Sequence, residues 1–217
     1  MTLDVIFKLL MGGMGVTVSI FVLTLLFSIP LGLPVSLARM SRNKFVSALS
    51  GIYISIMRGT PLMLQIIVIY FLPFYGFGIN VTSGYRFVAV IIAFSLNYAA
   101  YFAEIYRSGI QSVPKGQYEA AQILGYSRLQ TFVKIIMPQM FKRVLPAMTN
   151  EIITLVKDTS LSFAIATAEM FTIAKQIAAK QASLMPLMAA GIFYYVFNLL
   201  VAWVCKKVEK HYDYYKI

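Results

Sequence analysis

The sequence predicts an all-α polytopic membrane protein, a single domain over residues 1–217 with five transmembrane helices and one long polar loop. Three observations predict it. Hydrophobic residues make up 59% of the 217 and charged residues 12%, with a mean hydropathy of +0.76, a balance that a water-soluble domain rarely has. The apolar residues are gathered into runs long enough to cross a bilayer, which takes about 20 residues at about 1.5 Å each. The basic residues fall mostly between those runs.

The spans are read near 14–37, 46–74, 87–106, 147–171 and 187–205. Met1-Thr2-Leu3-Asp4 supplies no basic n-region and no small-residue cleavage site follows, so the first run reads as a retained helix. Pro30 and Pro34 interrupt the first run, and Pro61 and Pro73 the second. A proline frees a backbone carbonyl that lipid cannot satisfy, so these positions belong on protein-facing or cavity-facing surfaces. Arg39, Arg42 and Lys44 follow the first run. Arg107, Lys115, Arg128, Lys134, Lys142 and Arg143 fall in the polar loop 107–146. Lys206, Lys207, Lys210 and Lys216 close the chain. If these three regions are cytoplasmic they hold thirteen of the nineteen basic residues. The positive-inside rule then puts the N-terminus outside and the C-terminus in the cytoplasm. Trp203, Tyr212, Tyr214 and Tyr215 suit an aromatic belt at the inner interface.

The net charge of +11 thus reads as membrane topology and not as affinity for nucleic acid. Cys205 is the only cysteine and has no neighbouring ligand set, so it reads as an apolar filler, and no metal site is expected. His211 has no partner beside it and reads as solvated. No GxxxxGK[ST] loop occurs, so the chain does not hydrolyse ATP alone. No catalytic constellation is present, and the chain reads as a non-enzyme.

The loop 107–146 carries the most specific pattern. Pro114 and Gly116 mark a turn. Gln117 to Leu124 then reads as a short helix ended by Gly125, and Ser127 to Ile136 as a second that stops before Pro138. Ala120 and Ala121 give the short helix a thin face that another protein's groove could approach. Glu119 lies in its first turn, where the helix dipole favours an acid. The pattern alone fits a docking element or a helix lying on the membrane surface equally well.

Glu119-Ala120-Ala121, with Gly125 behind them and Ile136 and Pro138 further on, resembles the EAA motif of permease subunits of bacterial ABC importers. Arg58-Gly59-Thr60-Pro61-Leu62, Ala103-Glu104-Ile105, Arg107-Ser108-Gly109-Ile110, Ser112-Val113-Pro114-Lys115-Gly116-Gln117 and Leu155-Val156-Lys157-Asp158-Thr159-Ser160-Leu161 are similar to the polar amino acid branch of that family. The resemblance runs from about Gly15 to the C-terminus. It departs at Ser108, where the branch often has a second glycine, and at Met137-Pro138, where Leu-Pro is common. The resemblance implies a type I importer permease in the bacterial inner membrane that moves polar amino acids. It implies a coupling helix at Gln117, Glu119, Ala120, Ala121 and Gly125 that sits in a groove of the ATPase. It further implies a cytoplasmic ABC ATPase dimer, a second permease subunit, identical or homologous, and an extracytoplasmic solute-binding protein. The chain itself would bind no cofactor; ATP and Mg would belong to the ATPase.

A charge at mid-bilayer costs about 2.5–3.5 kcal/mol on insertion scales, so charged groups inside the spans face a cavity or a partner. Arg58 lies fourteen residues past Lys44, roughly 21 Å of helix, and Asn97 eleven past Arg86, roughly 16 Å. Asp158 is expected near the same level, and Glu104 about 10 Å from Asn97 towards the cytoplasm. Asn97, Tyr101 and Glu104 stand at i, i+4 and i+7, one helical face. A zwitterion needs a cation for its carboxylate and an anion for its ammonium. Asp158-Thr159-Ser160 offers an acid and two hydroxyls where the fourth span could break. Asn97, Tyr101, Glu104, Asp158, Thr159 and Ser160 are therefore expected to contact the substrate or line its path, with Arg58 as carboxylate partner. Alternatively Arg58 pairs with Glu104 or Asp158 and braces the bundle. Lys157 reads as neutralising Asp158, and Glu151 and Glu169 as boundary residues. An ATP-independent channel or secondary carrier using Glu104 and Asp158 for ion coupling is the competing class, against which the docking loop argues.

Overall fold

The computed structural model describes residues 3–82 and 84–212. Tyr214, Tyr215 and Lys216 lie outside the described residues. Those described form only helices and short connections: α1 (Leu3–Arg39), α2 (Lys44–Gly59), α3 (Leu62–Phe77), α4 (Tyr85–Gln111), α5 (Lys115–Ile123), α6 (Arg128–Thr131), a π-helical turn (Phe132–Ile136), α7 (Met137–Asp158), a 3₁₀ segment (Thr159–Ile165), α8 (Met170–Gln181) and α9 (Met185–Tyr212). α1, α4 and α9 are each long and apolar enough to cross a membrane.

α4 is the central helix. Val90, Phe94, Tyr98, Phe102 and Tyr106, spaced by four, run buried down one face, and successive rings stack with centroids 6.4 Å apart for Phe94–Tyr98 and for Phe102–Tyr106. α1 lies against α4 with small residues inward. Thr24, Ser28 and Ser36 are fully buried, and a Cβ added at Gly32 would come within 2.8 Å of Phe102 Cβ. Lipid tails are as apolar as leucine, so helices in a membrane gain by close backbone approach, and small residues permit it. A second cluster joins Ile6 and Leu10 of α1 to Met170, Ala174 and Ile177 of α8 and Ala190 of α9. The outer face of α9 exposes Ile192, Val196, Leu199, Leu200 and Trp203, as a lipid-facing helix does.

The structure differs from the expected spans at two breaks. The run 46–74 is α2 and α3, bent by 111°. Only Pro61 breaks this run; Pro30, Pro34 and Pro73 remain inside helices. Pro61 disfavours helical backbone at the residue before it, and Thr60 is extended at φ −121°, ψ 149°. The run 147–171 divides into the end of α7, the 3₁₀ segment and the start of α8. Thr159 Oγ1 bonds Val156 O at 2.8 Å, Ser160 Oγ bonds Lys157 O at 2.8 Å, and Ser162 Oγ bonds Thr159 O at 2.9 Å. Such bonds to the preceding turn compete with the α-helical ladder.

A third difference lies in the polar loop. The helix that starts at Ser127 does not stop before Pro138. It passes through the π turn into α7. Pro138 is the second residue of α7; it offers no N–H to the preceding turn, and the wider π turn before it accommodates that gap.

Candidate functional site

Three helices enclose a cavity of about 580 Å³. α2 ends at it with Arg58 in its last turn. α4 lines it with Tyr101, Glu104, Arg107 and Ser108, and α7 with Arg143, Ala147 and Glu151. The last three stand at i, i+4 and i+8, so one face of α7 forms that wall. The two long helices approach closely at Gly109, where an added Cβ would collide with Val144 Cγ1 and lie 2.9 Å from Met140 Cγ.

Charge in the cavity is organised around Glu104. Arg107 holds its carboxylate in a bidentate grip, Nε to Oε1 at 3.0 Å and Nη2 to Oε2 at 2.6 Å, and gives Nη1 to Gln111 Oε1 at 3.1 Å. Arg58 Nη1 stands 3.8 Å from Glu104 Oε2, and its guanidinium carbon lies 5.2 Å from the centre of the Tyr101 ring. Arg143 donates from Nη1 to Ser112 O and, at 3.2 Å, to Ser112 Oγ. Glu151 makes no hydrogen bond or ion pair among the described residues. The cavity therefore presents guanidinium groups, an acid paired with two of them and a second acid with no ion pair among the described residues. This is a set able to meet both ends of a zwitterion.

Tyr101 and Glu104 share a face of α4 as their spacing suggests, and Arg58 meets both from the end of α2. Asn97, Asp158, Thr159 and Ser160 are held elsewhere. Asn97 is 4% exposed. Its Nδ2 donates to Met57 O at 2.8 Å and to Gln65 Oε1 at 3.0 Å. Gln65 Nε2 in turn donates to Met57 O at 3.0 Å and Thr60 Oγ1 at 2.8 Å. This clamp satisfies the backbone that the Thr60–Pro61 break leaves open and fixes the bend between α2 and α3. Asp158 Oδ2 accepts from Tyr98 OH at 2.8 Å, and the charge of the exposed Lys157 acts on the same carboxylate without an ion-pair contact. Thr159 is fully buried, its hydroxyl 3.5 Å from Tyr194 OH. Ser160 donates back to Lys157 O, as above.

Sequence reasoning missed two acids. Glu151 faces the cavity. Glu169 is fully buried and caps α8, accepting from Phe171 N at 2.7 Å, Thr172 N at 2.6 Å, Thr172 Oγ1 at 2.8 Å and Tyr194 OH at 2.9 Å. A cap was legible there, since Glu169 and Thr172 flank a helix start. The i, i+4, i+8 spacing of Arg143, Ala147 and Glu151 was the signal for the other.

α5 stands apart from the cavity in the polar loop. Gly125, at φ +75°, ends it in a Schellman turn, with Tyr126 N bonded to Ala121 O and Gly125 N to Gln122 O, both at 3.0 Å. Ser127 and Gln130 then form a reciprocal capping box for α6. Ala121 is 1% exposed and packs into the chain's own loop, so it seats α5 and is not part of an outward face. Gln117 is tied by its side chain to Gln139 at 3.2 Å. Glu119 and Ala120 are exposed, and Ile123 and Leu124 are 86% and 72% exposed.

Residues 28–214 match the model of the binding-protein-dependent transport system inner membrane component family. The chain belongs to that family. It is a transmembrane permease component of ABC transport systems and not an enzyme, and the short α5 carries the EAA motif typical of such permeases. Among relatives, the L-cystine transport system permease protein TcyB of Bacillus subtilis is 36% identical over 209 residues, 95% of this chain and 88% of that protein. The arginine transport system permease protein ArtQ of the same organism is 38% identical over 201 residues, 91% and 90% of the two chains. A solved amino acid ABC transporter crystallised with histidines superposes with a TM-score of 0.84 at 31% identity, covering 94% of each chain. A methionine transporter, MetNI, shares the fold at a TM-score of 0.79 and 17% identity. The permease family implies an ATPase, a partner permease and a binding protein, and a bacterial inner membrane as its location.

Proposed function

We propose that this permease forms, with a second copy or a homologue, the membrane pathway of an ATP-driven importer of polar amino acids. An extracytoplasmic binding protein delivers the substrate, and a cytoplasmic ABC ATPase dimer, which holds ATP and Mg, drives its passage. The N-terminus lies outside and the C-terminus in the cytoplasm. The relatives' names, which concern L-cystine and arginine, support an amino acid as the cargo. The cavity chemistry supports a zwitterion, with Arg58 for the carboxylate and Glu104 or Glu151 for the ammonium. Asn97, Asp158, Thr159 and Ser160 act on the path indirectly, by holding the α2–α3 bend and the end of α7.

The single observation that carries the coupling role is the tip of α5. Exposed Ile123 and Leu124 on a short, rigidly capped helix outside the long apolar helices are apolar surface that a protein groove would cover. ATP would draw the ATPases together, each groove would carry its α5 with it, and the motion would pass into α7. The test is transport by the reconstituted complex bearing Glu119→Lys or Gly125→Pro. Proline fixes φ near −65° where the chain needs +75°. Both variants are expected to assemble yet hydrolyse ATP without uptake; wild-type uptake by both would overturn the coupling role.

A further inference from the structure

We propose that the groove between the C-terminal end of α9 and the facing part of α7 is a headgroup site for an anionic phospholipid. The groove holds about 350 Å³ and is lined by Lys142, Leu145, Pro146, Lys206, Glu209 and Lys210. It rests on the chain's place in a membrane and is independent of the substrate cavity, which no residue of this groove lines.

Three lysines and one glutamate line the groove; Lys142 is engaged in an interaction of its own, and the cationic character of the groove rests on Lys206 and Lys210. Lys206 and Lys210 make no hydrogen bond or ion pair among the described residues. Arg39 shows the contrast. It lines another groove, but its guanidinium is spent on Ser47, 3.0 Å from Oγ and 3.3 Å from O. The depth of the groove also fits a headgroup. Lys207 Nζ sits 3.8 Å from the centre of the exposed Trp203 ring, the amphipathic pairing that marks a membrane–water interface. Lys206 and Lys210 lie within two turns beyond Trp203, roughly 10 Å along the axis. On the membrane side of Trp203 the surface of α9 is the exposed apolar strip of Val196, Leu199 and Leu200. A phospholipid laid along α9 would put its acyl chains on that strip and its phosphate among the lysines. The Phe141 and Tyr212 rings, in edge contact at 5.2 Å, tie α7 to the end of α9. Basic pockets between membrane helices recognise lipid phosphates in this way.

The chemistry shared by a lipid headgroup and a soluble phosphate ester is an anionic phosphate group, so the experiment separates the two. Native mass spectrometry of the full-length protein in detergent would follow retention of added phosphatidylglycerol and phosphatidylcholine, with glycerol phosphate as a soluble competitor. Phosphatidylglycerol is expected to be retained over phosphatidylcholine and not displaced by glycerol phosphate at equal concentration. Lys206→Ala with Lys210→Ala is expected to cut its retention tenfold or more, at roughly fivefold per lysine, while the double arginine variant keeps it. Equal retention of the two lipids, unchanged retention in the alanine pair, or displacement by glycerol phosphate would each overturn the proposal. Loss of ATPase assembly with lipid retention intact would overturn it too and reassign the groove to a protein contact. Substrate uptake and lipid retention are separate readouts, so failure here leaves the transport reading standing, and the reverse.

Discussion

Replacing Asn97 by alanine separates two roles for the same residue. Its Nδ2 bonds Met57 O at 2.8 Å and Gln65 Oε1 at 3.0 Å, in a setting where Asn97 and Gln65 are both buried. Alanine would leave Gln65 Oε1 without a donor and out of reach of water, a penalty of about 1–3 kcal/mol. Met57 O would keep its bond from Gln65 Nε2, so its loss adds less than about 1 kcal/mol. The total, about 1–4 kcal/mol, corresponds to a fall of about 2–16 °C in the unfolding midpoint of a chain this size. Asn97→Asp should be worse than alanine, because a carboxylate would face two oxygens that need donors. The clamp fixes the turn around Arg58, so uptake should fall with the midpoint, and adding Gln65→Leu to Asn97→Ala should lower the midpoint further, because Met57 O then loses both side-chain donors and Thr60 O loses its own. The assay is a thermal unfolding scan of the detergent-purified protein beside uptake kinetics in proteoliposomes. A variant with an unchanged midpoint and a raised KM would refute the clamp and return Asn97 to the substrate path.

Three further outcomes follow from the packing. Gly109→Ala is expected to cost about 1–3 kcal/mol by overpacking α4 against α7, and Val144→Ala in the same chain to restore part of it in the same unfolding scan; no rescue would mean the helices separate by another route. Glu169→Ala should lower stability by more than the roughly 0.5–2 kcal/mol of an exposed helix cap, because two backbone N–H groups and the Tyr194 hydroxyl lose their acceptor in a fully buried site; a loss below about 0.5 kcal/mol would show that the cap is not needed. Glu151→Gln should weaken substrate affinity in binding or uptake assays while leaving the unfolding midpoint within a degree or two, since its carboxylate braces no other helix; unchanged affinity would remove it from the substrate path.

The long elements were legible because a membrane leaves the sequence few options. Apolar length fixed α1, α4 and α9, and Asn97, Tyr101 and Glu104 revealed one face of α4 by spacing alone. The breaks were less legible. Four prolines look alike in sequence, yet only Pro61 ends a helix. What distinguishes it is a replacement donor, Gln65, four residues on, whose amide reaches back to Met57 O and Thr60. That compensation depends on α4 closing over it with Asn97, which is a tertiary fact. For the same reason Asn97 read as a substrate ligand: a polar side chain in a membrane signals a partner but not whether the partner is backbone or cargo. The break after Asp158 was readable, because Thr159 and Ser160 carry short hydroxyls suited to bonding the preceding turn. Glu151 was placed at a boundary despite its shared face with Arg143 and Ala147, since depth was counted from charged flanks, and the continuous passage of α7 through Pro138 moved that flank outward.

The continuity of α7 is what gives the remote groups a mechanical relation. Its twenty-two residues make a rod about 33 Å long. At one end the π turn joins it to α6 and, through the Gly125 turn, to α5. At the other end Asp158 is bonded to Tyr98 of α4, and the 3₁₀ segment meets Tyr194 of α9, which bonds the Glu169 cap of α8. The N–H of Met170, next in the chain, bonds Thr17 of α1 at 3.3 Å. Four helices are thus tied to the far end of the rod by polar bonds, while the near end is attached through a wide turn and two short helices. A load applied at α5 would therefore pivot α7 about its Asp158 end. Arg143, Ala147 and Glu151 lie between pivot and load, so their wall would move against the Tyr101–Glu104 wall of α4. The cavity would change width most at Arg143, nearer the load, and least at Glu151, nearer the pivot. Under such a load Glu151 would be the steadier of the two, and the Arg143–Ser112 contact would be the first to be strained.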